Sequence, residues 1–249
     1  MKKKILFSLL IMMSLGISSL KAQEIYNTTS GEIIFGWSDA KYTAKNYKDD
    51  GAGDIQDAVR FTVWFHLYSH WHFDFSNKFG LYTGLGNRNI GFITKEMSSE
   101  PDAITDDHYM VKWKRRSYAL GVPLAIKLGN FSKGFYIFGG AQMEWLYHYK
   151  EKEFLTSGKR KNSEWWSDRV NTFLPSAFVG VAFPHGLNIK FTYALDDFMN
   201  KSYTDAAGNQ PYKFMDSKIM YVSVFQSIRW NKETYIVTEN KKKPKIAIL

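Results

Sequence analysis

A run of strict alternation between apolar and polar side chains, from residue 59 to residue 75, constrains this chain more than any other feature. Its odd-numbered positions carry Val, Phe, Leu or Trp with Ser69 as the one exception, while its even-numbered positions carry mainly Arg, Thr, His, Tyr and Asp. Successive side chains of a β-strand point to opposite faces, so this run predicts a strand with one apolar and one polar face. The same alternation recurs over 120–128 and 187–196, and the three-to-four-residue recurrence of a helix is absent there.

Eight such segments are separated by connections that alternate between long and short. The predicted strands are 31–39, 58–75, 79–96, 112–128, 135–152, 169–183, 187–199 and 216–230. The short connections are 76–78, 129–134 and 184–186, and the long ones are 40–57, 97–111, 153–168 and 200–215. Outer-membrane barrels have short turns on the periplasmic side and longer loops outside. The sequence therefore predicts an all-β fold, an eight-stranded antiparallel transmembrane β-barrel with short periplasmic turns and long extracellular loops.

The N-terminal segment 1–22 has the composition of a secretory signal peptide. Three lysines precede a continuous apolar run, and Ala22 is the small residue after which we expect cleavage. A membrane anchor is the alternative, but the apolar run is short for the roughly 20 residues that a spanning helix needs. The chain has no cysteine, which excludes a lipoprotein anchor and a disulfide framework. We expect the barrel to occupy 23–230 and a basic periplasmic tail to occupy 231–249.

Alternation alone does not distinguish a membrane barrel from a lipocalin-like soluble barrel, whose apolar face points inward. The charges on the polar face decide between them, because a lysine or arginine facing lipid at mid-depth costs about 2–4 kcal/mol. Uninterrupted apolar ladders on the outside of a soluble barrel would also promote aggregation. We therefore expect export to the outer membrane of a Gram-negative envelope, with lipid as the partner of the apolar face. Export makes a nucleic-acid partner unexpected, although the formal net charge is +9.

The polar face predicts a network inside the lumen. Its expected members are Arg60, His66, His70, His72, Arg88, Lys127, Glu144, His148, Lys190, Asp196 and Arg229. Eight strands leave little room inside, so these charges are expected to fill the barrel. A selectivity filter in a narrow channel is the alternative.

The histidines of the run allow a metal site if Glu144 or His148 joins them, but residues two apart on one face are about 7 Å apart. They match no ligand motif, so a hydrogen-bonded polar core is favoured and no metal or cofactor is predicted. Asp74 and Ser76 lie near His72, yet they read as strand-end and turn residues, and the chain lacks a Gly-x-Ser-x-Gly elbow. No catalytic residue is predicted.

Two segments resemble a known family. The hydrophobic-Pro-Leu strand Ser117–Leu128, a turn, and the Phe-Tyr-hydrophobic-Gly-Gly strand Gly134–Ala141 resemble the middle of small outer-membrane β-barrel proteins of the porin-like, PorT-like kind. The final strand Ile219–Trp230 fits the same pattern. The resemblance implies an eight-stranded outer-membrane barrel and no catalytic residue. The chain departs from many such barrels by continuing for 19 residues past Trp230.

The predicted loop 153–168 carries Lys159, Arg160 and Lys161 ahead of Trp165 and Trp166. Such a segment at a membrane rim suits binding to the phosphates of surface lipid, and an ordinary solvated loop is the equal alternative. The basic run in 231–249 suits another envelope protein or peptidoglycan, or a solvated tail. We expect a non-enzymatic protein with a structural, surface-interaction or transport- and secretion-accessory role. A narrow channel for small solutes and a lipid-modifying enzyme are the alternatives.

Overall fold

The computed structural model describes residues 24–43, 55–98, 101 and 108–230. The expected signal peptide and the expected tail lie outside the described residues and stay predictions. Within the described part of the chain, no helix is long and apolar enough to cross a bilayer.

The described chain is built from β-strands and one 3₁₀ turn at Pro184–Gly186. The strands are β1 (Glu24–Ser38), β2 (Lys41–Tyr42), β3 (Gln56–Ala58), β4 (Arg60–Thr62), β5 (Leu67–Asp74), β6 (Phe79–Met97), β7 (Met110–Asn130), β8 (Phe135–Leu155), β9 (Gly158–Trp165), β10 (Phe173–Ala182), β11 (Leu187–Ala194), β12 (Met215–Asp216) and β13 (Ile219–Arg229).

Eight of these strands close into an antiparallel ring. Its order is β1, β5, β6, β7, β8, β10, β11 and β13, and β13 pairs with β1 to complete it. The connections β5–β6, β7–β8 and β10–β11 are short and lie at one end, which we call the turn end; the longer ones lie at the other, the loop end. The predicted eight-stranded barrel with alternating short and long connections is confirmed.

Several element boundaries differ from the prediction. β1 begins at Glu24, seven residues before the predicted start, because its first half pairs with β5 in the register Glu24↔Asp74. The predicted strand 58–75 is interrupted between Thr62 and Leu67, where Phe65 has a φ of 68°. The predicted loop 153–168 is wrong over most of its length, because β9 pairs with the end of β8 in a hairpin.

The barrel is apolar outside and charged inside. Leu67 and Leu124 on the outer face are 67% and 63% exposed, whereas Arg88, Lys127 and Glu144 inside are 0% exposed. A water-soluble protein has the opposite distribution, since charged side chains are almost never fully buried unless paired. The apolar face therefore points outward, and the lipocalin-like arrangement does not apply.

Apolar clusters fill both ends of the interior. Near the turn end the cluster comprises Tyr82, Ala125, Phe138, Phe178, Ala182 and Phe225. Near the loop end the β11–β13 connection packs onto the wall, for example with Phe198 edge-on to Phe92 at 5.7 Å between ring centroids. Along their strands, Arg88 and Glu144 lie between these two clusters.

Candidate functional site

Four charged side chains meet at the centre of the barrel. Arg88 Nη1 lies 2.6 Å from Glu144 Oε1, Arg88 Nη2 lies 3.3 Å from Glu32 Oε2, and Lys190 Nζ lies 2.6 Å from Glu32 Oε1. Arg88 Nη1 also donates a hydrogen bond to the Tyr221 hydroxyl. Two cations and two carboxylates thus balance each other in a site that solvent does not reach.

The central network joins alternate strands of the ring. Glu32, Arg88, Glu144 and Lys190 come from β1, β6, β8 and β11, which are every second strand around the barrel. The ion pairs therefore bridge the lumen instead of running along one wall. Because desolvating a charge is costly, such a group is stable only while every member keeps its partner.

Glu32 was missed by sequence reasoning. It is the inward-facing carboxylate of β1, between the outward-facing Gly31 and Ile33. The alternation rule applied to this strand as strictly as to the run 59–75 would have found it.

A second ion pair lies nearer the turn end. Lys127 Nζ is 2.5 Å from Asp74 Oδ1, 3.1 Å from His72 Nδ1 and 3.2 Å from the Tyr26 hydroxyl. His72 Nε2 is in turn 3.0 Å from Thr28 Oγ1. Both ring nitrogens of His72 are therefore occupied by hydrogen-bond partners.

The other two histidines of this strand have separate partners. His66 Nδ1 accepts a hydrogen bond from the Asn89 backbone N–H at 3.3 Å, and His70 stacks on Tyr68 at 4.9 Å between ring centroids. In the described ranges, no three His, Cys, Asp or Glu side chains gather into a group that could hold a metal ion. The arrangement corresponds to the hydrogen-bonded polar core.

Seven of the residues expected in the lumen lie inside the barrel wall. They are His66, His70, His72, Arg88, Lys127, Glu144 and Lys190. Arg60 is also buried, but it lies within the wall, where it donates hydrogen bonds to Asn89 and lines a space on the outer face. The interior space lined by His70, Phe138 and Phe225 measures about 10 Å³. This is about the minimum volume that one water molecule needs.

The lumen placement is wrong for His148 and Asp196. On β7, Tyr118 pairs with His148 and the next residue, Ala119, pairs with Leu146. Tyr147 is therefore an extra residue on β8 that has no partner on β7. This bulge reverses the alternation along the rest of β8 and turns His148 outward. There it stacks on Trp165 at 4.0 Å between ring centroids.

Asp196 and Arg229 both lie beyond the packed interior. Asp196 is exposed past the end of β11 and accepts a hydrogen bond from the Asp197 backbone N–H. Arg229 keeps the inward face at the end of β13, opposite Thr28 and 4.1 Å from the centroid of the Tyr26 ring, but it is exposed at the turn end and pairs with Glu24 at 2.5 Å. Alternation predicts a face only while the strand lasts, and β11 ends at Ala194, before Asp196.

A second polar surface lies outside the barrel toward the loop end, on β7, β8 and β9. Its cations align in register across the three strands. The aligned outward positions are Lys114, Lys152 and Lys161 in one row, Arg116, Lys150 and Ser163 in the next, and Tyr118, His148 and Trp165 in the third. The sequence predicted a basic and aromatic surface here from Lys159–Lys161 and the two tryptophans. That prediction did not include the cations of β7 and β8.

Comparison with known proteins finds similar barrels at low similarity. The Ail protein of Yersinia pestis in complex with the heparin analogue sucrose octasulfate is 11% identical over 84% of this chain and 99% of its own, with a TM-score of 0.39. Ail alone is 9% identical over 82% and 99%, with a TM-score of 0.36. The outer membrane protein OprG of Pseudomonas aeruginosa is 11% identical over 84% and 98%, with a TM-score of 0.35.

No protein-family model and no curated protein matches the sequence. The architecture therefore rests on the ring of hydrogen-bonded strands itself, and this chain is an eight-stranded antiparallel β-barrel with an apolar exterior and a charged, filled interior.

Proposed function

We propose that the protein is a closed, non-enzymatic β-barrel of the Gram-negative outer membrane with a structural or surface-interaction role in the envelope. The observation that carries this proposal is the inverted distribution of polarity, with exposed leucines outside and fully buried ion pairs within. An accessory role beside a transport or secretion complex fits the same features. The narrow channel and the lipid-modifying enzyme are the competing functions.

The height of the apolar belt supports a membrane location. Along β7 the outward positions Leu128, Ile126, Leu124, Val122 and Leu120 are all apolar. At about 3.4 Å per residue and a tilt of about 45°, they rise about 19 Å. The outward Tyr118 follows directly, so belt and aromatic rim together approach the roughly 25 Å apolar band of outer-membrane barrels.

The central network supports a barrel that does not conduct. Arg88, Glu32 and Glu144 side chains are at most 1% exposed, and their ion pairs join opposite walls. A continuous water column cannot pass a level at which the charged groups are sealed from solvent. The PorT-like resemblance also fits a non-conducting accessory protein, and that family label stays part of the proposal.

The residues considered for lipid chemistry are engaged elsewhere, which supports a non-enzymatic role. Asp74 pairs with Lys127 and His72 is bonded to Thr28 and Lys127. Ser76 Oγ accepts hydrogen bonds from the backbone N–H groups of Lys78 and Phe79, as a turn residue does. Nucleophilic catalysis needs a nucleophile and a base within hydrogen-bond reach of one another, and these three side chains do not form such a pair.

Three measurements on the full chain test the proposal. The protein is expected to fractionate with outer membranes and to migrate faster on gels before heating than after it. In planar bilayers it is expected to stay silent over a wide range of voltages. Deletion is expected to leave the lipid mass spectrum unchanged. Recovery in the soluble periplasm would reject the location, discrete conductance would reject the closed lumen, and a lost lipid species would reject the non-enzymatic role.

The segment 231–249 is proposed as a contact to another envelope protein or to peptidoglycan, on the strength of its lysine run. Pull-down of envelope material with the full chain and with this segment removed tests the contact. Equal recovery with both proteins would remove the segment from the proposal.

A further inference from the structure

A cationic pocket lies on the outer wall where β4 and β5 are interrupted. It has a volume of about 410 Å³ and lies between the segment 61–65 and the facing parts of β6 and β7. On β1, Ile34 pairs with Thr62 and Gly31 pairs with Leu67. The four residues 63–66 therefore face only the two residues 32–33 of β1. The extra residues bulge away from the wall, which leaves Trp64 77% exposed. The bulge forms one side of the pocket.

Within the part of the chain that the structure describes, the cations of this pocket are not all balanced by acids. Arg60, Lys114 and Arg116 line it together, and neither Lys114 nor Arg116 forms an ion pair with a carboxylate of the described residues. Partial burial and the nearby charges of Arg60, Arg116 and Lys152 lower the pKa of Lys114 to about 8. Like charges held this close repel one another, so the pocket gains stability when an anion enters it.

Arg60 supplies a buried donor at the same place. It is 2% exposed and directs two of its N–H groups to the backbone and side-chain oxygens of Asn89, at 3.0 and 2.7 Å. Its Nε is buried and has no hydrogen-bond partner among the described residues. A guanidinium with a spare donor beside two further cations is the arrangement that recognises phosphate oxygens.

An apolar groove of about 560 Å³ lies next to the pocket on the turn-end side. Leu67, Leu85, Leu120 and Ile228 line it. Thr29, Gly31 and Ser69 have small side chains and leave the space between these apolar residues open.

The groove and the pocket are consecutive along the wall. The row Asn87↔Leu120 lines the groove, and the next outward row, Asn89↔Tyr118, lines the pocket. Residues two apart on one face are about 7 Å apart. One extended molecule therefore fits across both spaces.

We propose that this wall binds one phosphorylated lipid of the leaflet at the loop end, with a phosphate in the pocket beside Arg60, Lys114 and Arg116 and an acyl chain in the groove. The inference rests on the proposed membrane location. Arg116 lies about 10 Å beyond Leu120 along the membrane normal at ~3.4 Å per residue and a tilt of about 45°. That offset separates the acyl region from the layer in which lipid phosphates lie.

The paired spaces favour a lipid over a soluble anion. A free phosphate would use only the cationic pocket, whereas the groove is lined almost entirely by carbon and needs an apolar occupant. The outward Lys150 and Lys152 on β8 extend the positive surface beside the pocket, so a lipid with more than one phosphate is accommodated.

The experiment measures lipid retention by native mass spectrometry of the full chain released from detergent micelles. The probe is diphosphorylated lipid A, compared with the same acylated sugar after removal of both phosphates and with inorganic phosphate as competitor. The variant Lys114→Gln/Arg116→Gln is expected to weaken retention at least tenfold. Lys78→Gln/Lys133→Gln makes the same charge change at exposed turn-end positions and is expected to match the wild type.

A second pair of variants tests the groove. Gly31→Leu places a side chain in it, and a Cβ at Gly31 meets nothing nearer than 3.7 Å, so the wall tolerates the change. It is expected to weaken retention of the acylated probe at least fivefold, while Val179→Leu on the far side of the barrel has no effect. Leu85→Trp fills the same groove if Gly31→Leu does not fold.

Four outcomes would overturn the inference. They are equal retention by the lysine–arginine variant and its control, equal retention of the dephosphorylated probe, full displacement by inorganic phosphate at matched concentration, and retention unaffected by filling the groove. The gel shift on heating and the membrane fractionation are recorded first on every variant. Because they do not depend on lipid retention, they separate failure of this inference from failure of the membrane location.

Discussion

Arg88 and Glu144 form an ion pair of 2.6 Å across the barrel interior, between β6 and β8, with side-chain exposures of 0% and 1%. The two strands are separated in the ring by β7, so this contact spans the lumen. Glu32 continues the bridge to Arg88 and Lys190, which links four alternate strands through charge. Removing one member leaves an unpaired charge in a site without solvent.

Replacement Glu144→Gln is expected to destabilise the barrel by about 3–5 kcal/mol, the cost of leaving a buried charge without its partner. Arg88 would retain only Glu32 as a charged partner. Urea unfolding in lipid vesicles measures the change. Asp196→Asn removes a carboxylate that is exposed and is expected to change stability by less than about 0.5 kcal/mol. Equal effects of the two substitutions would contradict the central role of the ion pair.

Lys127 and Asp74 allow a double-mutant cycle. Lys127→Met alone leaves Asp74 without its 2.5 Å partner, and we expect a loss of about 3–5 kcal/mol. Lys127→Met combined with Asp74→Leu removes both charges and is expected to be less destabilising than the single change. The same unfolding assay reads out all variants, and a double variant less stable than Lys127→Met alone would contradict this account.

Alanine substitutions at Gly91 and Gly158 distinguish the cost of backbone strain from the cost of a steric clash. Its φ is 144°, and a Cβ there would lie 2.2 Å from the Arg115 carbonyl oxygen, whereas Gly158 has a φ of 145° with nothing within 4 Å. Both alanine substitutions impose the backbone cost of about 1–3 kcal/mol. Gly91→Ala is expected to lose more stability because it also clashes with β7. Equal losses would show that the wall shifts freely at Gly91.

Lys114 gives a pH-dependent prediction. Partial burial and the adjacent cations hold its pKa near 8, below the usual 10.5, so the folded protein binds fewer protons there than the unfolded chain between these values. Its contribution to stability is therefore present above pH 10.5 and is lost as the pH falls through about 8. Site-resolved amine acylation rates against pH measure the titration.

The variant Arg116→Gln removes one of the cations that lower the pKa of Lys114, so the acylation midpoint is expected to move to higher pH. Saturation with the phosphorylated lipid is expected to move it in the same direction, since an anion favours the protonated amine. If neither change moves the pH midpoint of Lys114 acylation, Lys114 does not belong to the cationic pocket.

The alternation of side chains determined much of this protein before folding is considered. A strand has a period of two, so the order of apolar and polar residues already assigned Arg60, Arg88 and Lys190 to one face. The contrast of short and long connections indicated how the strands alternate in direction. Charge on one face and uninterrupted apolar residues on the other predicted which face points outward.

Only the tertiary structure decided which residues meet. Glu32 and Lys190 are 158 positions apart, and their 2.6 Å contact exists because the ring closes between β1 and β13. The extra residue Tyr147 turns His148 from the inner to the outer face of the wall, and no local sequence pattern marks that bulge. The pocket and groove combine four strands with an interrupted fifth, so they arise from register and closure. Local periodicity assigns a side chain to a face, but long-range pairing determines its neighbours.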